Sequence, residues 1–237
     1  MEPTITQAIV LAGGRAERMR PYSDAMPKAL VPVGGLALIT RQLLHLAQQG
    51  ITNVVLSTCY QHRQISEFVE GGAAYGLSVR HAVESRPRGT AGAIRYAHQA
   101  LADPAQPFLV LNGSISTDMN LRPLIEHHRT ARASITLAMV RYTSQRPVVI
   151  ESEDDRIRAL PRTTLLPYWV DAGIAVHQPY TTKMLPEIGE ITDTYETIAA
   201  EGLLSAYKAP GEVFWREVVT IGDIYAYPDG SGSPTLT

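Results

Sequence analysis

Only one cysteine, Cys59, stands in the 237-residue chain. A lone thiol closes no internal disulfide and cannot build a framework of zinc thiolates, so neither staple organises this fold. Long apolar runs are missing too. None approaches the roughly 18 residues that crossing a bilayer takes, and no basic segment followed by an apolar stretch opens the sequence. The expectation is a cytoplasmic protein with no membrane contact. Charge of one sign is equally scarce: 21 Lys and Arg face 23 Asp and Glu, for a net charge of −2. That balance lacks the basic excess of a chain that coats nucleic acid, so no nucleic-acid partner is expected. Two phosphate-loop patterns are also absent. Without GxxxxGK[ST] there is no Walker A loop, and without GxGxxG a dinucleotide-dependent oxidoreductase ranks last.

What is present is alternation. Residues 8–12 (AIVLA) form an apolar run ending in Gly13-Gly14, the pattern of a buried parallel strand entering a glycine turn. Residues 38–49 carry apolar positions at helical spacing and stop at Gly50. A strand over 53–57, a helix over 61–69, a strand over 77–83, a helix over 91–101 and a strand over 108–111 follow. Alternating strands and helices imply right-handed crossovers. The expected fold is therefore an α/β, doubly wound, mostly parallel Rossmann-like sheet flanked by helices, with ligands beyond the carboxyl ends of its strands. The second half is less regular, with strands expected at 135–140, 148–151 and 170–176. The polar, proline-bearing stretch 152–167 between the last two reads as a small substrate-side lobe. His127 and His128 have no metal-ligand spacing with other His or Cys and read as exposed helix residues. The acidic run 151–155 reads as a solvated turn. Residues 1–230 are expected as one domain with two parts, about 1–118 and about 119–230. The tail 231–237 has linker composition.

The densest signal is 11–35, LAGGRAERMRPYSDAMPKALVPVGG. Two glycines, three arginines and a lysine follow a buried strand directly, where backbone amides and cations can surround polyphosphate. This segment resembles the opening motif LAGGxGxRLxPxTxxxPKxLxPV of the sugar-nucleotidyltransferase family. Leu11, Ala12, Gly13, Gly14, Arg18, Pro21, Pro27, Lys28, Leu30, Pro32 and Val33 occupy its fixed positions. Residues 84–93 (ESRPRGTAGA) resemble the family's ExxPxGTAGA, 111–118 (LNGSISTD) resemble LNGDxxTD, and 171–173 (DAG) resemble the block that closes over the sugar.

The resemblance implies transfer of a nucleoside monophosphate from a nucleoside triphosphate to a sugar or cyclitol 1-phosphate, with pyrophosphate leaving. It implies Arg18 and Lys28 as the cations at the reacting phosphates. Leu11, Ala12, Gly13, Gly14, Arg15, Glu84, Gly89 and Thr90 would hold nucleotide, and Asn112, Arg162, Asp171 and Gly173 sugar phosphate. Gly89 and Gly92 read equally well as turn and helix-packing glycines, and Asp171 as an ordinary strand-edge carboxylate. The partners implied are nucleoside triphosphate and sugar 1-phosphate, with a second copy or an active partner subunit also open.

Two positions depart from the family. Its members commonly bind Mg²⁺ through one aspartate in the NGD turn and another in a late segment. Ser114 stands at the first, and aligning WREVVTIGDIYAY by its Ile221-Gly222 puts Thr220 at the second. A hydroxyl lacks the full charge that draws a hard cation. Asp118, Glu217 or Asp223 could substitute, or metal could arrive with the triphosphate held by Arg15, Arg18 and Lys28. The remaining alternative is a repurposed, noncatalytic or regulatory relative. Ala16 also replaces a usual glycine.

Overall fold

In a computed structural model the protein is described over residues 5–145, 149–150, 157–159, 163–211 and 213–227. The first half runs β1 (Gln7–Leu11), α1 (Tyr22–Ala25), β2 (Pro32–Val33), β3 (Leu36–Ala37), α2 (Leu38–Gln48), β4 (Asn53–Thr58), α3 (His62–Val69), β5 (Ser78–Val83), α4 (Gly89–His98) and β6 (Phe108–Asn112). The second half continues with β7 (Ile115–Thr117), α5 (Leu121–Ala131), β8 (Ile135–Gln145), β9 (Val149–Ile150), β10 (Ile157–Ala159), β11 (Thr163–His177), α6 (Ile191–Ala200), β12 (Leu204–Lys208), β13 (Trp215–Glu217) and α7 (Ile221–Tyr225).

Seven of these strands form one sheet in the order β12-β8-β11-β6-β1-β4-β5. Strands β6, β1, β4 and β5 are mutually parallel, β12 is parallel to β8, and β11 runs antiparallel to both β6 and β8. The sheet is thus mixed and mostly parallel, as the alternation predicts. Both faces of the central strands are buried because their side chains point alternately up and down. On one face Ala8, Val10, Leu109 and Leu111 pack with Ile39 and Leu43 of α2, Ile65 of α3 and Leu124 of α5. On the other, Ile9, Phe108 and Val110 meet Ala91 and Ile94 of α4 and Leu185.

Three expectations need correction. Strand β11, expected over 170–176, begins at Thr163 and pairs with β8 from Gln145 inward. Its early part extends the main sheet. His128 is buried at 2% exposure, because α5 turns it inward where Thr136 Oγ1 and Gln178 Nε2 bond its two ring nitrogens. His127 is half-buried, with Ser205 Oγ 3.0 Å from its Nε2. The acidic run 151–155 and the tail 231–237 lie outside the described residues.

Candidate functional site

Two loops converge where β1 ends. Ala12 still donates to the Ser57 carbonyl (2.8 Å), and Gly113 donates to the Leu11 carbonyl (2.9 Å), so the chain after β6 presses onto the end of β1. A Cβ at Gly113 would collide with that same Leu11 carbonyl, which is why the turn after Asn112 takes glycine. Gly14 has open space before it. In front of these strand ends lies a cavity of about 370 Å³, at the low end of the range for small-ligand sites. It is lined by Leu11, Ala12, Gly13, Gly14 and Lys28 from the first motif. Glu84, Gly89 and Thr90 from the second and Asn112 with Ser114 from the third complete the set that sequence brought forward.

The cations divide. Lys28 faces the cavity half-buried, and burial, together with the nearby Arg18 charge, holds its ammonium pKa below the usual lysine value, while Glu217 and Asp223 oppose the drop. Arg18 is exposed on the turn Glu17–Met19 and Arg15 lies over the Tyr60 ring, 5.8 Å from its centre. Neither arginine lines the cavity.

Glu84, which also lines the cavity, is buried, taking a bond from Ser57 Oγ on Oε1 (2.9 Å) and from the Arg88 amide on Oε2 (3.2 Å). Burial raises the Glu84 carboxyl pKa, and these two donors partly counter it. Arg88 and Glu190 line the cavity too, and sequence reasoning assigned neither. Arg88 lay inside the quoted motif at one of its variable positions. Glu190 had no local signal, since it is tied to Thr90 100 residues away, accepting from the hydroxyl at 2.7 Å and the amide at 3.3 Å. The same hydroxyl receives the Ile191 amide in place of a side-chain cap on α6. Ala91 donates to the Gly189 carbonyl and Gly189 to that of Arg88. Gly92 therefore packs a helix against a loop, and a Cβ there would strike the Glu187 carbonyl. Gly89 does this and lines the cavity as well, so both of its readings hold in the geometry.

The aspartate-replacement region is arranged differently from the sequence alignment. Strand β13 pairs with β7 and sets Glu217 opposite Ile115, so that Ser114 Oγ donates to Glu217 Oε1 at 3.2 Å and the Val218 amide to the Ser114 carbonyl at 2.7 Å. The residue facing Ser114 is Glu217, not Thr220. Thr220 instead caps α7: its amide, its hydroxyl and the Val219 amide all donate to Asp223 Oδ2. These bonds hold the Asp223 carboxyl below the usual aspartate range despite its partial burial. Asp118 is likewise committed, accepting the Phe214 amide at 2.9 Å. Of the three substitutes, Glu217 alone touches Ser114. Among the described residues no cluster of three His, Cys, Asp or Glu could hold a metal. One carboxylate beside a hydroxyl still suits Mg²⁺ when triphosphate oxygens and water supply the remaining ligands.

Asp171 sits outside the cavity lining, its Oδ1 accepting the Gly173 amide at 2.8 Å, and burial, with Glu217 nearby, raises its carboxyl pKa. Gly173 turns with φ 68° beside Asn112, where a Cβ would come within 2.8 Å of the amide nitrogen. Arg162 lies outside the described residues.

The nucleotidyl transferase family description matches residues 7–225. The chain belongs to this family. A mannose-1-phosphate guanylyltransferase of Mycobacterium tuberculosis is 30% identical over 91% of this chain and 62% of its own length. An N-acetylmuramate alpha-1-phosphate uridylyltransferase of Neisseria meningitidis is 42% identical over a shorter match, 48% of this chain and 49% of its own. The chain spans about 60% of the length of the guanylyltransferase relatives it matches. The solved structure of an inositol-1-phosphate CTP transferase from T. maritima shares the fold at TM-score 0.74 and 16% identity, covering 96% of this chain and 95% of that one.

Proposed function

We propose that this nucleotidyl transferase moves a nucleoside monophosphate from a nucleoside triphosphate to a sugar or cyclitol 1-phosphate. The oxygen of the sugar phosphate attacks the α-phosphorus, the bond to the β-phosphate oxygen breaks, and pyrophosphate leaves with the electron pair. The observation that carries this reading is one cavity at the carboxyl ends of β1, β4 and β6, with Gly13, Gly14 and the half-buried Lys28 at its wall. Bare backbone and a partly desolvated ammonium suit phosphate oxygens that gain charge as the bond breaks. Arg18, exposed beside Lys28 in the electrostatic sense, closes toward the triphosphate from the same loop in this reading. Residues 1–118 would serve the nucleotide and 119–230 the sugar phosphate, with Asn112 and Asp171 at the join. Bound Mg²⁺, held on this chain by Glu217 with Ser114 beside it, would neutralise phosphate charge. The relatives named for mannose 1-phosphate and N-acetylmuramate 1-phosphate support a sugar 1-phosphate as acceptor.

The test is pyrophosphate release from ATP, CTP, GTP, UTP and dTTP against a panel of sugar 1-phosphates, with and without Mg²⁺. Turnover with one pair is expected, and loss of turnover in Lys28→Ala. Full activity in Lys28→Ala would remove the roles assigned here. One observation favours a second reading, a relative that binds nucleotide without transferring it: a hydroxyl, Ser114, stands where a second carboxylate would face Glu217. Under that reading the panel is silent, triphosphate still binds, and Ser114→Asp alone creates turnover.

A further inference from the structure

We propose that Gln42 of α2 is a positioning residue for nucleotide transfer, one that holds the turn 112–115, and with it Ser114, at the cavity wall. The inference rests on the transfer reading and adds to it a residue that does not line the cavity itself.

Gln42 interrupts an apolar stripe. Along α2 the fully buried Ile39, Leu43 and Leu46 face the core at helical spacing, and position 42 belongs to the same face, at 3% exposure. Packing alone would favour leucine there. A glutamine instead brings an amide whose Oε1 is buried without a partner among the described residues, a cost that an apolar side chain does not carry. Its Nε2 is fully used. It donates to the Asn112 carbonyl at 2.8 Å and to the Ile115 carbonyl at 2.9 Å, the two residues that bracket Gly113-Ser114. Turning the amide over would set Oε1 against two carbonyl oxygens, which fixes its orientation.

The bracketed residues belong to the site. Asn112, Gly113 and Ser114 line the cavity, the Gly113 amide donates to the Leu11 carbonyl, and the Ser114 carbonyl accepts the Val218 amide. The turn is thus caught between β1 and the end of β13, and Gln42 adds the hold from α2. That helix is itself anchored on the loop that follows Lys28, since Arg41 donates to the Val33 and Gly34 carbonyls. One helix therefore ties the stretch bearing Lys28 and the turn bearing Ser114 to a common base. Groups supported in this way keep their spacing, and a misplacement of about 1 Å can cost about 100-fold in rate.

Gln42→Leu and Gln42→Glu test this, with Ile39→Val as a control on the same helix that trims only the core. The assay is pyrophosphate release with the pair from the substrate panel above that the wild type turns over, from pH 6 to 8.5. In Gln42→Leu kcat should fall at least about tenfold at every pH, with a smaller change in KM for triphosphate, while Ile39→Val stays within about twofold of wild type. In Gln42→Glu an ionised carboxylate would meet two carbonyl oxygens and push the turn away, whereas the protonated carboxyl donates one bond and restores part of the hold. Burial raises a carboxyl pKa, so the kcat ratio of Gln42→Glu to wild type should climb at least about threefold from pH 8.5 to 6. Arg41 and His45, which line a small cavity with Gln42, and Asp118, whose charge reaches His45, are common to both proteins and drop out of that ratio. Hydrogen exchange needs no turnover: in Gln42→Leu the Gly113 and Val218 amides should exchange at least about tenfold faster relative to those of the β4–β5 ladder. A folded Gln42→Leu with kcat within about twofold of wild type overturns the positioning role. So does a flat Gln42→Glu ratio, which decides the matter should Gln42→Leu not fold. A silent wild type overturns the transfer reading instead, and the two amides then decide whether Gln42 sets the turn, unchanged exchange removing it.

Discussion

The two ends of the central strands treat polar side chains in opposite ways. At the carboxyl ends, Arg88 Nε is buried without a partner, and Lys28 and Glu190 face a cavity. At the amino end of β6, His177 is fully buried against Phe108, its Nδ1 3.4 Å from the Thr181 hydroxyl and its Nε2 3.4 Å from that of Tyr195. Nearby His128 has Thr136 and Gln178 on its two nitrogens. One end keeps unmet valence at a cavity; at the other, His128 and His177 find partners within the chain and contribute stability, although His98 Nε2 beside Phe108 has none. Perturbing each end should therefore have a different readout.

The largest effect is expected from acid at the closed end. Burial, then the charge of a neighbouring histidine, depresses His128 to about 4 and His177 to about 3. The unfolded chain, with histidine near 6.5, binds protons that the folded chain refuses, so stability is full above pH 6.5 and falls as pH drops toward these folded values. At pH 5 each group costs about 2 kcal/mol, about 4 kcal/mol together. Urea midpoints at pH 7, 6 and 5 check this, and a flat profile would show that the cluster is not closed to protons.

At the open end, Lys28→Ala should cost about 100-fold or more in kcat/KM, the scale of losing one preorganised donor to a charged transition state. Its urea midpoint should stay near wild type, since the one hydrogen bond of Lys28 among the described residues is its carbonyl accepting the Val31 amide, which alanine keeps. A large stability loss with intact turnover would reverse the contrast between the two ends.

This division also marks how far the sequence could be read. The loop after β1 was legible as cavity lining because its glycines and Lys28 lie within one contiguous stretch, and the parallel strands were legible because burial on both faces leaves apolar runs. Pairs joined only by the fold were not. Glu190 reaches Thr90, and β13 brings Glu217 to Ser114 across 103 residues, where matching on Ile221-Gly222 had picked Thr220. His128 was misjudged for the same reason, since a histidine's burial depends on what α5 packs against.

Thr220 offers a smaller test of that alignment. As the cap of α7 its loss in Thr220→Ala should cost about 1 kcal/mol in thermal or urea unfolding. Mg²⁺ dependence of turnover should be unchanged, whereas Glu217→Gln should raise the Mg²⁺ concentration needed. An altered Mg²⁺ requirement in Thr220→Ala would return position 220 to the metal.

The smallest effect concerns the loop after β1. Ala16 sits with φ 51° and ψ 46°, a left-handed conformation that a side chain disfavours by about 1–2 kcal/mol and glycine adopts freely. The strain is held in place because the Met19 amide donates to the Ala16 carbonyl at 2.9 Å and Met19 itself is fully buried. Glycine would relieve it, yet would also enlarge the freedom of the unfolded chain by about 0.4–1 kcal/mol. The net gain for Ala16→Gly is then about 0.5–1 kcal/mol, a rise of about 1–4 °C in Tm for a chain of this size. Because the backbone conformation already suits the turn, triphosphate affinity should change little; a marked gain in affinity without a rise in Tm would mean that the methyl group obstructs the ligand and not the backbone.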